Sequence, residues 1–170
     1  MNRATQAAVS LVLLVTAVSG CGYSLRGHLP SHIQTIAVPI FVNKTQEPAV
    51  DSFITRAVVE AFSTNGRLRL ARVEDADAIL EGEIIGYAVD SIAFDRNANV
   101  RLYRLRVTLN LTMRDLRQNT VLFRQANFSE KSDFRVQGAV SQTIAREETA
   151  LRQAAVDIAR AVVSLAVDRF

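Results

Sequence analysis

Val100-Arg101-Leu102-Tyr103-Arg104-Leu105-Arg106-Val107-Thr108-Leu109-Asn110-Leu111-Thr112-Met113-Arg114 is the stretch that decides the fold. Successive side chains of a strand point to opposite faces, and here the two faces differ in kind. Tyr103, Leu105, Val107, Leu109, Leu111 and Met113 make one row; Arg104, Arg106, Thr108, Asn110, Thr112 and Arg114 make the other. A helix would mix them. The alternation predicts one long strand with one face in a core and the other wet or partnered, as in an antiparallel sheet.

The neighbours extend this strand into a meander. Asp95-Arg96-Asn97-Ala98-Asn99 reads as a hairpin loop, and residues 78–94, rich in Ile, Val and aromatics, read as the preceding strand. Gly82 and Gly86 within it suggest a bulge or a bend. Residues 115–120 form the next turn, and 121–134 return as a third strand. Upstream, residues 35–42 are β-branched and apolar, but Pro39 has no N–H for a ladder, so that strand is short or at an edge. Residues 49–64 place Val50, Phe53, Ile54, Ala57, Val58, Ala61 and Phe62 on one helical face. Pro48 suits the first turn of that helix and Asn65-Gly66 its end. Residues 67–73 alternate as a short strand.

Residues 141–167 read as a long helix. Ile144, Leu151, Ile158 and Leu165 recur every seven residues with Ala155 and Val162 between them, and Glu148 breaks the seam. Fewer than four heptads and many alanines favour a helix packed on the sheet over a coiled coil. The expected fold class is α+β: a two-layer sandwich, with two amphipathic helices on one face of a mixed, mainly antiparallel sheet of about four strands.

The N-terminus has the layout of a secretory signal. Residues 7–18 carry no charge; a spanning helix needs about 20 apolar residues, so this run is too short for one. Val18-Ser19-Gly20-Cys21, holding the only cysteine of the chain, looks like a bacterial lipobox. Residues 1–20 are then a signal peptide that is removed. Cys21 carries a diacylglycerol and an N-acyl chain, which hold a protein stably where a single chain does not. No other cofactor is expected. Gly22, where Asp would retain a lipoprotein on the inner membrane, favours the outer membrane on its periplasmic side. Residues 21–34, with Gly, Pro and Ser, read as a lipidated tether, and 35–170 as a single domain.

Removing the signal leaves 19 basic residues against 17 acidic, and 18 of the chain's 20 basic residues are Arg. That mild excess, the export signal and the lack of paired stacking aromatics disfavour nucleic acid. His28 and His32 with one Cys fall short of a structural metal site. No catalytic constellation emerges: there is no Gly-x-Ser-x-Gly, Walker or Rossmann motif, and Glu81 and Glu83, two apart on a strand, read as a solvated face. Arg96, Arg101, Arg104, Arg106, Arg114, Arg117 and Arg124 crowd into 29 residues, opposed locally only by Asp95 and Asp115. Such a face is either solvated or meets an anionic headgroup or acidic surface.

Cys21-Gly22-Tyr23-Ser24-Leu25-Arg26-Gly27 resembles the start of the mature lipopolysaccharide-assembly lipoproteins (the LptE family). Ser91-Ile92-Ala93-Phe94-Asp95-Arg96-Asn97 followed by Tyr103 is similar to that family's central hairpin, and Leu122-Phe123-Arg124 to the start of its last strand. The resemblance implies a non-enzymatic outer-membrane protein. Its partner would be an LptD-type β-barrel, which it plugs and helps assemble, and lipopolysaccharide would be a second contact. By position Arg96 falls on the family's hairpin contact, and Lys131 or Arg135 on the basic contact before the last helix. Arg104 and Arg106, on the polar face, would meet the barrel wall. Ile36-Ala37-Val38-Pro39-Ile40-Phe41-Val42-Asn43-Lys44-Thr45 also looks like the opening strand of secretion-pore lipoproteins, which keeps a periplasmic scaffold or pore as the alternative.

Overall fold

The computed structural model describes residues 29–136 and 140–167. The chain runs β1 (Thr35–Ala37), β2 (Val42–Asn43), α1 (Val50–Asn65), β3 (Arg69–Leu70), a 3-10 turn (Val73–Asp75), β4 (Ala78–Phe94), β5 (Val100–Asp115), β6 (Thr120–Arg135) and α2 (Val140–Val167). The signal, Cys21 and the motif through Gly27 lie outside the described residues.

The decisive stretch folds as read. Leu105, Val107, Leu109, Leu111 and Met113 have no exposed surface. Each buried side chain of this kind contributes roughly 1.5–3 kcal/mol relative to exposure. They face Val50, Ile54, Val58 and Phe62 of α1 and Leu151, Ala155, Ile158 and Val162 of α2 within one core. Both helices lie on this face, so the two-layer α+β sandwich holds. α2 packs on the sheet and on α1, and only its N-terminal heptad position, Ile144, stays exposed. α1 ends at Gly66, whose φ of 72° lets its N–H reach Phe62 O at 3.1 Å.

The sheet itself corrects the expectation. It has six strands, not about four, in the order β3-β1-β4-β5-β6 with β2 also on β4. Three of its pairings are parallel (β1 with β3, β1 with β4, β2 with β4), and the antiparallel ones are β4–β5 and β5–β6. One extra strand comes from the segment 35–43, which reads as a single strand and forms two. Ala37 pairs with Ile79 and Val42 with Glu83, so five steps on one side match four on the other. Pro39 falls in that mismatch and splits one line into β1 and β2. α1 then carries the chain back to lay β3 parallel to β1.

The two glycines of β4 do different jobs. The register slips between Ile84 and Gly86, a bulge. Gly82 is not bulged: a Cβ there would lie 2.4 Å from the Phe41 ring, which is 2% exposed. The packed domain also begins before residue 35. Ile33 closes a turn onto Pro30 O at 2.9 Å and is buried, so the segment read as tether through residue 34 is anchored at its C-terminal end.

Candidate functional site

With both helices on one face, the row Arg104, Arg106, Thr108, Asn110, Thr112 and Arg114 has no described element over it. The register places acids from the flanking strands against it. Arg104 donates from Nε to Asp133 Oδ1 at 2.7 Å and from Nη2 to Asp133 Oδ2 at 2.8 Å. Arg106 donates to Asp90 at 2.8 Å, and Arg114 pairs with Glu81. The Arg104 guanidinium holds the Asp133 carboxyl below the usual range, and the carboxylate in turn raises Arg104. The Arg104–Asp133 pair stays charged at neutral pH. Pairs this exposed add little to stability, so the face is a fixed pattern of charge more than a source of stability.

Along the chain only Asp95 and Asp115 stand near the arginines. The pairing of Asp90, Asp133, Glu81 and Asp77 with them does not show in the sequence, because these acids arrive from other strands or loops. The one signal available was that Glu81 and Asp90 sit on β4, the strand expected to pair with the arginine row.

The hairpin end gathers the other basic residues. Asp95 Oδ1 accepts the N–H groups of Asn97 (2.8 Å) and Asn99 (3.0 Å), and Arg101 lies 2.9 Å from Asp95 Oδ2. The Asn99 N–H, its side-chain amide, the Asn97 N–H and Arg101 together hold Asp95 below the ordinary carboxylate range, against the raising effect of its burial. Ala98 takes φ 60° to close the loop, leaving Arg96 exposed at the turn. Arg135 stands opposite Leu102 and Lys131 opposite Arg106. Arg96, Lys131 and Arg135 therefore share the hairpin half of the sheet, and all three are exposed. Among the described residues none of them has an ion pair. Phe94 (58% exposed), with Val89 and Ile92, adds apolar surface there.

The opposite end is a polar lock. Asp77 and Asp115, at 6% and 0% exposure, are the buried charged groups of the described core. Asp77 Oδ2 accepts from Gln34 N, Thr35 N and Thr35 Oγ1 at 2.8–3.0 Å, and Arg117 Nη2 lies 2.5 Å from its other oxygen. Asp115 Oδ1 accepts from Arg117 N and Gln118 N, while His32 Nε2 meets Oδ2 at 2.6 Å. Burial pushes Asp115 up, but the Gln118 N–H, His32 and the Arg117 N–H outweigh it and hold it low. His32 thus serves this contact; His28 lies outside the described residues, and no group of three metal-ligating side chains occurs among those described. The lock ties the lead of the chain to the end of the sheet farthest from Arg96. No described helix is long and apolar enough to cross a membrane.

No curated protein matches the chain in sequence. Solved structures with a similar fold include protein XCC0632 from Xanthomonas campestris (15% identity, TM-score 0.57, covering 84% of this chain and 90% of that one). Lipoprotein B from Nitrosomonas europaea is also similar (18%, 0.52, 85% and 92%), as is the PelC dodecamer from Paraburkholderia phytofirmans (14%, 0.51, 81% and 91%). The family model for LptE, lipopolysaccharide assembly, matches residues 33–165. That span runs from the buried Ile33 through both helices, the uncovered strand face and the hairpin end: the chain belongs to the LptE lipopolysaccharide-assembly family.

Proposed function

We propose that this chain is a non-enzymatic outer-membrane lipoprotein, held by the acyl chains on Cys21, that plugs an LptD-type β-barrel and helps it assemble. The observation that carries this reading is the shape of its uncovered face. β4 has 17 residues, which at about 3.3 Å each span roughly 55 Å. A bilayer with its headgroups is about 40–45 Å thick. A domain that leaves its anchor at the locked end can therefore reach across a barrel lumen with its hairpin end leading. The wall of such a lumen is polar, and the face offered to it is a lattice of oriented charges and amide and hydroxyl groups. In this reading Arg104 and Arg106 meet the wall. Arg96, Lys131 and Arg135 meet lipopolysaccharide phosphates, which guanidinium groups grip in a bidentate way.

The test is affinity purification from detergent-solubilised outer membranes with mass spectrometry of the partner. One large barrel protein in stoichiometric amount is expected. Recovery of a ring of copies without a barrel would overturn the reading in favour of a secretion-pore lipoprotein. A variant carrying Arg96→Glu, Arg104→Glu and Arg106→Glu should lose barrel recovery about tenfold or more, the roughly 1.4 kcal/mol or more that losing and reversing several contacts implies. Its circular dichroism should not change, because the three side chains hang outside the core. Collapse of the fold would show them to be internal.

A further inference from the structure

A groove of about 510 Å³ opens between the C-terminal halves of α1 and α2, a volume in the range of small-molecule sites. Ala57 and Ala61 line it from α1; Val156, Ala159 and Val163 line it from α2. Its shape follows from the sequence, because residues four apart share a helical face. One turn before Ala57 and Val156 stand Phe53 and Arg152, and there the guanidinium carbon lies 5.5 Å from the ring centre and closes the gap. On the next two turns alanine stands where Phe53 stood, and the gap stays open as far as Asn65. Ala159 and Val163 are buried in the floor, while Val156, 46% exposed, leaves apolar surface bare at the mouth.

The open end is the one from which the lead of the chain departs. Four residues after Asn65, the Arg69 N–H donates to Gln34 O at 3.0 Å, and Ile33 and Leu29 pack on the core just before it. Leu29 is eight residues from Cys21, a stretch that reaches at most about 29 Å. The groove from Ala57 to Asn65 is about 12 Å long. Charge narrows the occupant further. Arg160 at the rim is held by Asp157 at 3.0 Å, and Glu60 adds an exposed acidic side chain. An anionic head group meets repulsion there, whereas an amide-linked acyl chain carries no charge.

We propose that the groove between α1 and α2 is the seat of the N-acyl chain of Cys21. The two ester-linked chains of the diacylglycerol stay in the bilayer, and two suffice for stable anchorage. The third chain lies between the helices and holds the locked end of the domain down on the membrane. The inference rests on the lipidation of Cys21 in the reading above, and not on a barrel or on lipopolysaccharide.

The experiment feeds cells expressing the full chain a palmitate that carries a photoactivatable diazirine, irradiates the membranes, and digests the monomer band. Mild alkali then cleaves esters and spares the amide. The expected result is the Cys21 peptide joined, after alkali, to a peptide within residues 57–65 or 156–164. Val156→Glu, at a half-exposed position, should lower that yield at least fivefold with circular dichroism unchanged, as should Ala57→Leu with Ala61→Leu, which fills the groove. Equal yields in folded variants would overturn the seat. A groove peptide carrying only a fatty acid after alkali would assign the seat to an ester-linked chain and overturn the N-acyl assignment. Cross-links found only in a dimer band would overturn a seat within one chain. Acylated Cys21 cross-linked to bilayer lipid alone would overturn the groove and leave the anchor standing. A Cys21 peptide whose mass shows no acyl chain would overturn anchor and groove together.

Discussion

Gly82→Ala should destabilise the domain by about 3 kcal/mol, a large effect for one methyl group. The new Cβ would lie 2.4–2.5 Å from three atoms of the Phe41 ring. Real carbon contacts do not approach so closely, so the ring must leave its place or the strand must bow. Phe41 is 2% exposed in the core, and its N–H donates to Thr55 Oγ1 at 3.0 Å, which fixes the backbone under the ring. Overpacking alone costs about 1–3 kcal/mol, and loss of a buried Phe about 3–5; the expected value falls where these ranges meet. For a domain of this size it lowers the melting midpoint by roughly 10 °C. The decisive measurement is a double-mutant cycle. Phe41→Ala removes the obstacle, so Gly82→Ala should cost far less in that background. Additive losses would mean that Gly82 does not exist to admit the ring.

The second large effect concerns Asp77. The Gln34 N–H, opposed by burial, then the Thr35 hydroxyl and N–H and the Arg117 guanidinium, bring its pKa from 3.8 down to about 2. A carboxyl lowered in the folded state contributes stability that is fully present above its unfolded value and is lost as the pH falls through its folded value. The domain should therefore weaken progressively between about pH 4 and pH 2. Asp77→Asn should flatten that limb of the denaturant-midpoint profile. Asp77→Ala should cost about 2–4 kcal/mol at pH 7, since it strands buried donors and an arginine. It should also raise hydrogen exchange at residues 32–35, which the lock holds. An unchanged acid slope in Asp77→Asn would show that other carboxylates govern acid unfolding.

Both effects arise where the chain meets itself far away in sequence, and the same is true of what sequence reading missed. The long strands, the hairpin at 95–99, both helices and the buried row from Leu105 to Met113 were legible because alternation and 3.6-residue spacing are local properties. The basic residues were legible as a group, and the positions of Arg96, Lys131 and Arg135 at one half of the sheet follow once the meander is accepted. Their state was not legible. Among the described residues Arg104 and Arg106 have ion-pair partners while Arg96, Lys131 and Arg135 have none, and the register of β4 and β6 against β5 decides which.

By itself, then, the amino-acid sequence determined a meander with one apolar and one cationic face, two helices to cover the first, and a resemblance that the LptE family match bears out. The tertiary structure alone decided the rest. β1, β2 and β3 are two or three residues long, too short to carry a period, and exist only because β4 and one another offer them partners. Asp77 lies in the short link before β4, and Gly82 reads as a bulge or a bend. One is a lock and the other a seat for Phe41, because the carboxylate and the missing side chain meet groups 42 and 41 residues away. Local pattern records which face a residue turns toward. What it meets there depends on the packing of the whole chain.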